Sequence, residues 1–149
     1  MRQTDANPGK EATMRLALAT LVLIGLTSAA HPLTPELFPE ITLQGGLEQV
    51  LPDTGITLML TRVEDSRCPA GLDCVWEGMI RVRLTVSTPT AKLAIVLCNQ
   101  CDDASGLATA AGQTFGLIGL APSTEELAKL GRAPDLSDYA VTVNYGPAD

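Results

Sequence analysis

The chain has few of the side chains on which common catalytic and ligand-binding sites depend. It contains one histidine, His31, and its aromatic residues amount to only 3% of the sequence. With one histidine close to a chain end, a Ser-His-Asp arrangement is not expected. The scarcity of aromatic rings leaves few side chains that could stack on sugars, although a carboxylate pair for glycoside chemistry stays open. The composition therefore favours a binding or protective protein over a hydrolase.

Positive charge and long apolar runs are also scarce. The 149 residues carry 10 Lys and Arg against 17 Asp and Glu, which gives a net charge of −7. An acidic surface argues against nucleic acid and anionic membranes as partners, because both attract basic patches. The apolar run from Leu16 to Leu26 is shorter than the roughly 20 residues that a membrane-spanning helix needs.

That apolar run has the form of a secretory signal peptide. It follows one positive residue, and Ser28 and Ala30 fit the small-x-small rule for a peptidase that cuts after Ala30. We expect residues 1–30 to be a leader and signal peptide, with Met14 as the true start, and residues 31–149 to be a single β domain. The alternative is a buried N-terminal helix. Since no cysteine lies near the cut for lipid attachment, we expect a periplasmic or secreted protein without a membrane anchor.

Most of the remaining sequence consists of short strand-like runs separated by turn residues. In one of them, Val82, Leu84 and Val86 alternate with polar residues, which indicates a strand with one face on a core and one in water. We expect strands at residues 41–43, 48–51, 57–63, 81–87, 92–98, 113–120 and 139–145. This spacing predicts an all-β fold, an antiparallel β-sandwich or small barrel of about seven strands.

One segment has a helical pattern. Ser123 can cap a helix, Glu126 stands three residues later as its capping-box partner, and Gly131 can end it. The segment covers about two turns, so we expect one short helix in a long loop near residues 123–131.

Four cysteines, Cys68, Cys74, Cys98 and Cys101, all lie in the part expected to be exported, where pairing is the rule. By chain entropy, a bond between Cys68 and Cys98 would stabilise the fold by about 3.5 to 4 kcal/mol, and a Cys68–Cys74 bond by about 2 kcal/mol. The residues alone therefore leave crossed and local pairing open.

The stretch "EDSRCPAGLDCVWEG", residues 64–78, contains the first two cysteines and has the composition of a turn between two strands. Pro69 and Gly71 supply the restricted and the permissive backbone angles of a turn. Asp65 and Ser66 can accept backbone N–H bonds at its start. We expect Trp76 to pack beside the disulfide as part of the core or its edge, where an arginine such as Arg67 could stack on the ring.

This stretch resembles an uncharacterised family of small exported bacterial proteins and lipoproteins that share the pattern D-S-R-C-P, a short loop and C-x-W-x-G. The resemblance extends weakly over most of residues 41–145. It implies a β fold and an exported protein, and it implies no activity. It supplies Cys68 and Cys74 without a second pair, which favours local pairing. This chain departs from the pattern at Glu77 and in having Cys98 and Cys101.

Two other kinds of site are candidates. Cys98 and Cys101 have the C-x-x-C spacing of thiol–disulfide proteins, but the motif follows a strand, and Asp102 and Asp103 would raise the thiol pKa. We therefore interpret this pair as a hairpin disulfide.

Metal sites are the second kind. Calcium could use the carboxylates of Glu64, Asp65, Asp73 and Glu77, although Arg67 lies among them as a counter-charge. An N-terminal His31 could chelate copper, and the four cysteines, if reduced, loosely fit the spacing of a zinc site.

The sequence thus predicts a non-enzymatic domain that binds or protects at the cell envelope, without a cofactor, a metal ligand set or a catalytic residue. Arg67, Trp76 and Glu77 are the predicted contact surface. The predicted partner is a protein or a small molecule, not nucleic acid. The alternatives are a thiol–disulfide protein that uses Cys98 and Cys101, and a calcium- or copper-dependent binding domain.

Overall fold

A computed structural model describes residues 38–148, and strands make up about half of them. Within this range eight strands form two four-stranded sheets, and one α-helix, α1, and one 3-10 turn lie between the last two strands. The strands are β1 Glu40–Gln44, β2 Glu48–Val50, β3 Thr57–Asp65, β4 Ile80–Ser87, β5 Lys92–Asn99, β6 Leu107–Ala110, β7 Gln113–Ala121 and β8 Ala140–Pro147. The predicted all-β sandwich is confirmed.

All pairs of neighbouring strands within the two sheets are antiparallel. Sheet A has the order β1-β8-β7-β6 and sheet B the order β2-β3-β4-β5. The chain passes from one sheet to the other at both sides of the sandwich. The β1–β2 turn is anchored where Gly46 N donates to Leu60 O at 2.9 Å, and the β5–β6 connection where Cys98 N donates to Ser105 O at 2.7 Å. Both lateral edges of the sandwich are therefore joined.

The core lies between the sheets and follows from the alternation along each strand. On β4, Val82, Leu84 and Val86 are fully buried, and on β8, Val141 and Val143 are fully buried. Side chains on the inner faces form one apolar cluster. Each such side chain contributes about 1.5–3 kcal/mol when it leaves water, so the alternation alone supplies most of the drive to pack the two sheets.

A β-bulge interrupts this alternation in β3. Leu60 lies opposite Leu84, but the register then shifts, so that Arg62 lies opposite Arg83 and Val63 lies opposite Val82. The extra residue changes which positions face the core, because side chains alternate strictly on either side of a bulge. Before the bulge the even-numbered residues of β3 point inward, and after it the odd-numbered ones do.

The predicted elements agree with the structure except in two places. β6, with the sequence Leu-Ala-Thr-Ala, was not predicted; it has one β-branched residue and becomes a strand through its pairing with β7. The helix is α1 Thr124–Ala128, shorter than predicted, although Ser123 and Glu126 do form the capping box. In β7 the sequence indicates a bulge or bend through Gly116 and Gly119, and the register does shift between Leu117 and Gly119.

The segment predicted to be a signal peptide, residues 1–30, lies outside the described residues, as does His31. Among residues 38–148 no helix has the length and apolar character that crossing a membrane would require.

Gly45 marks a close approach between the β1–β2 turn and the 3-10 turn Leu136–Asp138. Its N–H donates to Tyr139 O at 2.9 Å, and the neighbouring Gln44 side chain donates to Ser137 O at 2.6 Å. A Cβ at position 45 would overlap the carbonyl oxygen of Leu136. Only glycine therefore lets the two turns meet.

We expect Gly45→Ala to lower the free energy of unfolding by about 1–3 kcal/mol, because the new methyl group must push the two turns apart. Gly106→Ala is the matched control, since a Cβ there would meet Cys98 O at an ordinary 3.6 Å. Urea unfolding followed by far-UV circular dichroism measures both. Equal midpoints for the two variants would contradict the close approach.

Candidate functional site

The cysteine loop, residues 66–79, joins β3 to β4 and is closed by a disulfide. Cys68 pairs with Cys74, and Cys98 pairs with Cys101, each with its two Cα atoms 5.9 Å apart. That separation lies within the range that disulfides span. The local pairing favoured by the family resemblance is the one in the structure.

Hydrogen bonds continue the hairpin into the base of the cysteine loop. Ser66 N donates to Met79 O at 3.0 Å, and Cys68 N donates to Glu77 O at 3.1 Å. Ser66 Oγ accepts from Met79 N at 3.1 Å, and Asp65 Oδ1 accepts from Arg67 N at 3.1 Å. The predicted acceptor roles of Asp65 and Ser66 are confirmed. The base of the loop is therefore an ordered continuation of the sheet.

Asp65 and Arg67 form a largely buried ion pair, with two hydrogen bonds, at the base of the loop. Arg67 Nε donates to Asp65 Oδ1 at 2.8 Å, and Arg67 Nη2 donates to Asp65 Oδ2 at 2.7 Å. The Asp65 side chain is 6% exposed and that of Arg67 19%. This two-point geometry is the strong form of an arginine–carboxylate contact.

The same guanidinium also reaches the other sheet. Arg67 Nη1 donates to Leu120 O at 3.1 Å, and Arg67 Nη2 donates to Pro122 O at 2.8 Å. Leu120 lies near the end of β7, in sheet A, and Pro122 lies just after that strand. We call this set of contacts, from Arg67 to Asp65, Leu120 and Pro122, the Arg67 bridge. It ties the cysteine loop of sheet B to sheet A.

The contacts with Arg67 keep the Asp65 carboxylate ionised. Burial alone would raise the pKa of Asp65, but the hydrogen bonds from the Arg67 side chain and backbone, together with the positive charge of the guanidinium, hold it below its ordinary value. Nearby, burial raises the pKa of the Tyr139 phenol, and the negative charge of Asp65 adds to the effect. Asp65 is therefore anionic wherever the protein is folded near neutral pH.

The outer part of the cysteine loop exposes large apolar side chains. Leu72 is 64% exposed, Trp76 63%, and Val75 is fully exposed at 106% of its reference area. We call these three residues the apolar tip. The expectation that Trp76 packs as core or half-core is wrong, because its side chain is mostly in water. The Arg67 guanidinium, which was expected to stack on the ring, is engaged instead in the Arg67 bridge.

A cleft of about 390 Å³ lies at the base of the cysteine loop. Its walls bring together parts of the chain that are far apart in sequence, including Arg67, Glu77, Asn99, Gln100 and Thr124. Gln100 Nε2 donates to Glu77 Oε2 at 3.2 Å, which connects the second cysteine pair to the cysteine loop. Of the three predicted contact residues, Trp76 and Glu77 are exposed, while Arg67 lies mostly beneath them.

The C-x-x-C pair does not have the surroundings of a reactive thiol. Cys98 lies near the end of β5 and is 1% exposed. Reactive cysteines of this spacing lie where a helix N-terminus or a cation lowers the thiol pKa. Asp103, next to the pair, instead forms an ion pair with Arg81.

Three of the four carboxylates considered for calcium are engaged with other side chains. Glu64 pairs with Arg62 and Asp65 with Arg67, and Glu77 accepts from Gln100. Among residues 38–148 no three His, Cys, Asp or Glu side chains meet in a geometry that could hold a metal ion. The copper candidate His31 lies outside that range.

Sequence reasoning missed two of the three apolar-tip residues and the carbonyl partners of Arg67. Both had a signal in the sequence: Leu72 is an apolar residue inside the Cys68–Cys74 disulfide ring, which is too small to bury it, and Val75 follows that ring directly. Leu120 and Pro122 are 53 and 55 residues from Arg67, and no local pattern connects them.

No protein-family model matches the chain, and neither a curated protein nor a solved structure matches it. A functional interpretation therefore depends on the geometry of the cysteine loop and on the chemistry of its side chains.

We expect Arg67→Ala to lower the free energy of unfolding by about 3 kcal/mol, because it leaves the buried Asp65 carboxylate without its partner. The control is Arg132→Ala, which removes an ion pair to Asp138 made by a side chain that is 52% exposed. Its loss should be much smaller, since water screens exposed pairs. Urea unfolding by circular dichroism decides between them, and an Arg67→Ala protein as stable as Arg132→Ala would refute the role of the bridge.

The pH dependence of stability should report on Asp65. The folded protein binds a proton at Asp65 less readily than the unfolded chain, so the contribution of Asp65 is present above about pH 5 and is lost as the pH falls through its unfolded and then its folded pKa. The gap in unfolding free energy between the natural protein and Asp65→Asn should therefore shrink between pH 6 and pH 2.5. A gap for Asp65→Asn that does not change with pH would contradict the ion pair.

Proposed function

We propose that this protein is an exported, non-enzymatic binding domain and that the apolar tip of its cysteine loop is the contact surface for a partner protein. The observation that carries this proposal is the exposure of Leu72, Val75 and Trp76 together on one short loop. A disulfide, the hydrogen-bonded base and the Arg67 bridge hold that loop in place.

Exposing these apolar side chains to water is unfavourable in free energy, and a partner that covered them would remove that cost. Covering a large apolar side chain contributes about 1.5–3 kcal/mol, and the three side chains belong to one short segment, residues 72–76. Grouped apolar residues on a soluble protein mark interaction surfaces more often than single ones do. Tryptophan is also among the residues on which binding energy concentrates.

The surroundings of the tip favour a protein as the partner. Asp73, between Leu72 and Val75, and Glu77, after Trp76, are both exposed, so the surface combines apolar and charged side chains, as protein–protein interfaces do. The same carboxylates, in a chain of net charge −7, would be repelled by an anionic bilayer. Trp76 is the only tryptophan of the chain, which leaves little ring surface for a sugar.

Export is supported by two independent features. Residues 14–30 have the composition of a signal peptide. All four cysteines are paired, which suits an oxidising compartment. The resemblance to exported bacterial proteins supports the same location. We propose no catalytic role for Cys98 and Cys101, because Cys98 is buried near the end of a strand.

Site-specific photocrosslinking tests the contact surface. The protein is produced in a bacterial periplasm, where an intact mass starting at His31 also tests the proposed cleavage site. A benzophenone amino acid replaces Val75, whose side chain is fully exposed and leaves the core untouched. After irradiation with the native envelope fraction, we expect one discrete protein adduct, which mass spectrometry then identifies.

Two controls make the crosslink specific. The same probe at Thr90, exposed in the β4–β5 turn, should give no such adduct. The double change Leu72→Ser with Trp76→Ser should abolish the adduct at position 75 while the circular dichroism spectrum stays the same. Equal yields at positions 75 and 90, or an adduct that survives the double change, would overturn the proposal. Acrylamide quenching of Trp76 fluorescence, reduced when the identified partner is added, gives an independent readout.

A further inference from the structure

The outer face of sheet B carries three arginines at adjacent positions. Arg62 on β3 lies directly opposite Arg83 on β4, and Arg81 lies two residues from Arg83 on the same face. Together with Glu64 and Val96 they line a hollow of about 50 Å³. Residues 38–148 hold seven Lys and Arg in all, so this face concentrates three of the seven in a chain of net charge −7.

The charges of this arginine cluster are only partly balanced. Glu64 lies 3.0 Å from Arg62 Nε and 3.7 Å from Arg81 Nε, and Asp103 pairs with the far end of Arg81. Arg83 is exposed and has no acidic partner among residues 38–148. Three cations therefore meet two carboxylates, and like charges that lie directly opposite on neighbouring strands repel each other.

One donor in the cluster is buried and unused. Arg81 Nε is shielded from water and has no hydrogen-bond partner, because its distance to Glu64 is too long for a hydrogen bond. Buried N–H groups are nearly always paired, so a rotation of the Arg81 side chain that turned Nε into the hollow would let an anion there accept from it. The unused donor belongs to a residue that lines the hollow.

We propose that Arg62, Arg81 and Arg83 form a binding site for a tetrahedral oxyanion, a phosphate or sulfate group. Guanidinium groups offer paired donors that match the oxygens of such anions and remain charged at all relevant pH values. The carboxylate of Glu64 stays in the site, where it orients Arg62 and limits the affinity. An anion between Arg62 and Arg83 would replace their repulsion with two attractions.

The size of the hollow restricts what can enter. At about 50 Å³ it exceeds the roughly 30 Å³ that one water occupies in the liquid, but it is far below the volume of ligand pockets, about 300–1,000 Å³. It can hold one terminal anionic group and not a sugar ring or a base. The site therefore fits a free inorganic anion or a phosphate or sulfate group at the surface of a larger ligand.

Titration of the whole protein with inorganic phosphate, sulfate or acetate at constant ionic strength tests the site, with the arginine Nε–H signals followed by NMR. We expect phosphate and sulfate to shift the Arg81 and Arg83 signals saturably. Acetate, a planar carboxylate of lower charge, should bind roughly tenfold more weakly or not at all. Acetate binding as tight as phosphate, or shifts that never saturate, would refute a tetrahedral oxyanion site.

Arg83→Gln and Lys92→Gln are the matched variants, because each removes one exposed positive charge from sheet B and only Arg83 lines the hollow. Arg83→Gln should weaken phosphate binding roughly tenfold, the effect of losing one charge-assisted contact. Lys92→Gln should leave it within about twofold. Equal weakening in both would show general charge attraction and overturn the site. A sulfated polysaccharide that binds far more tightly than inorganic sulfate would identify a polymer as the source of the anion.

Discussion

The β-bulge between Leu60 and Arg62 is the constraint on which both surface features of this domain depend. If β3 continued without the extra residue, Arg62 would lie opposite Val82 and face the core, and Asp65 would point toward water. Burying an unpaired arginine side chain in the sandwich would be strongly unfavourable. The bulge exchanges the inward-facing and outward-facing positions of β3. The same nine-residue strand therefore supplies apolar side chains to the core in its first half and an inward carboxylate at its end. The arginine cluster on the outer face and the ion pair at the base of the cysteine loop are therefore two results of one register shift.

The inward direction of Asp65 explains how an exposed loop stays ordered. A loop of 14 residues between two strands would ordinarily be mobile at its end. Here the disulfide restricts the outer half, and Arg67, held by Asp65, attaches the base to carbonyls of sheet A. Leu120 lies near the end of β7, beyond the stretch of β7 that pairs with β6, and Pro122 lies just after the strand. Satisfying their carbonyls with a buried guanidinium stabilises both the loop and the segment that leads into α1.

The sequence predicted the parts of this fold that depend on local alternation. β4 and β8 show strict period-two patterns, and their buried residues agree with the prediction. The sequence also carries a sign of the bulge in β3, which the prediction of a regular strand missed. The apolar positions change from even numbers at Leu58 and Leu60 to an odd number at Val63. Trp76 was misplaced because a lone tryptophan beside a disulfide suggests burial, whereas its side chain lies exposed on the outer part of the cysteine loop. Contacts across more than 50 residues, such as that from Arg67 to Leu120, have no local pattern to reveal them.

A rigid loop that exposes apolar side chains is physically different from a flexible one. In a flexible loop, Trp76 and its neighbours could fold back on the surface and hide part of their area, and binding would have to order the loop again. The disulfide ring and the Arg67 bridge prevent both, so the cost of ordering is met when the domain folds. The ion pair that holds the loop is itself a weak source of net stability compared with an apolar contact of the same volume. Its retention at the base of the loop is better explained by the fixed position of the apolar tip than by the stability of the sandwich, which the core between the two sheets already supplies.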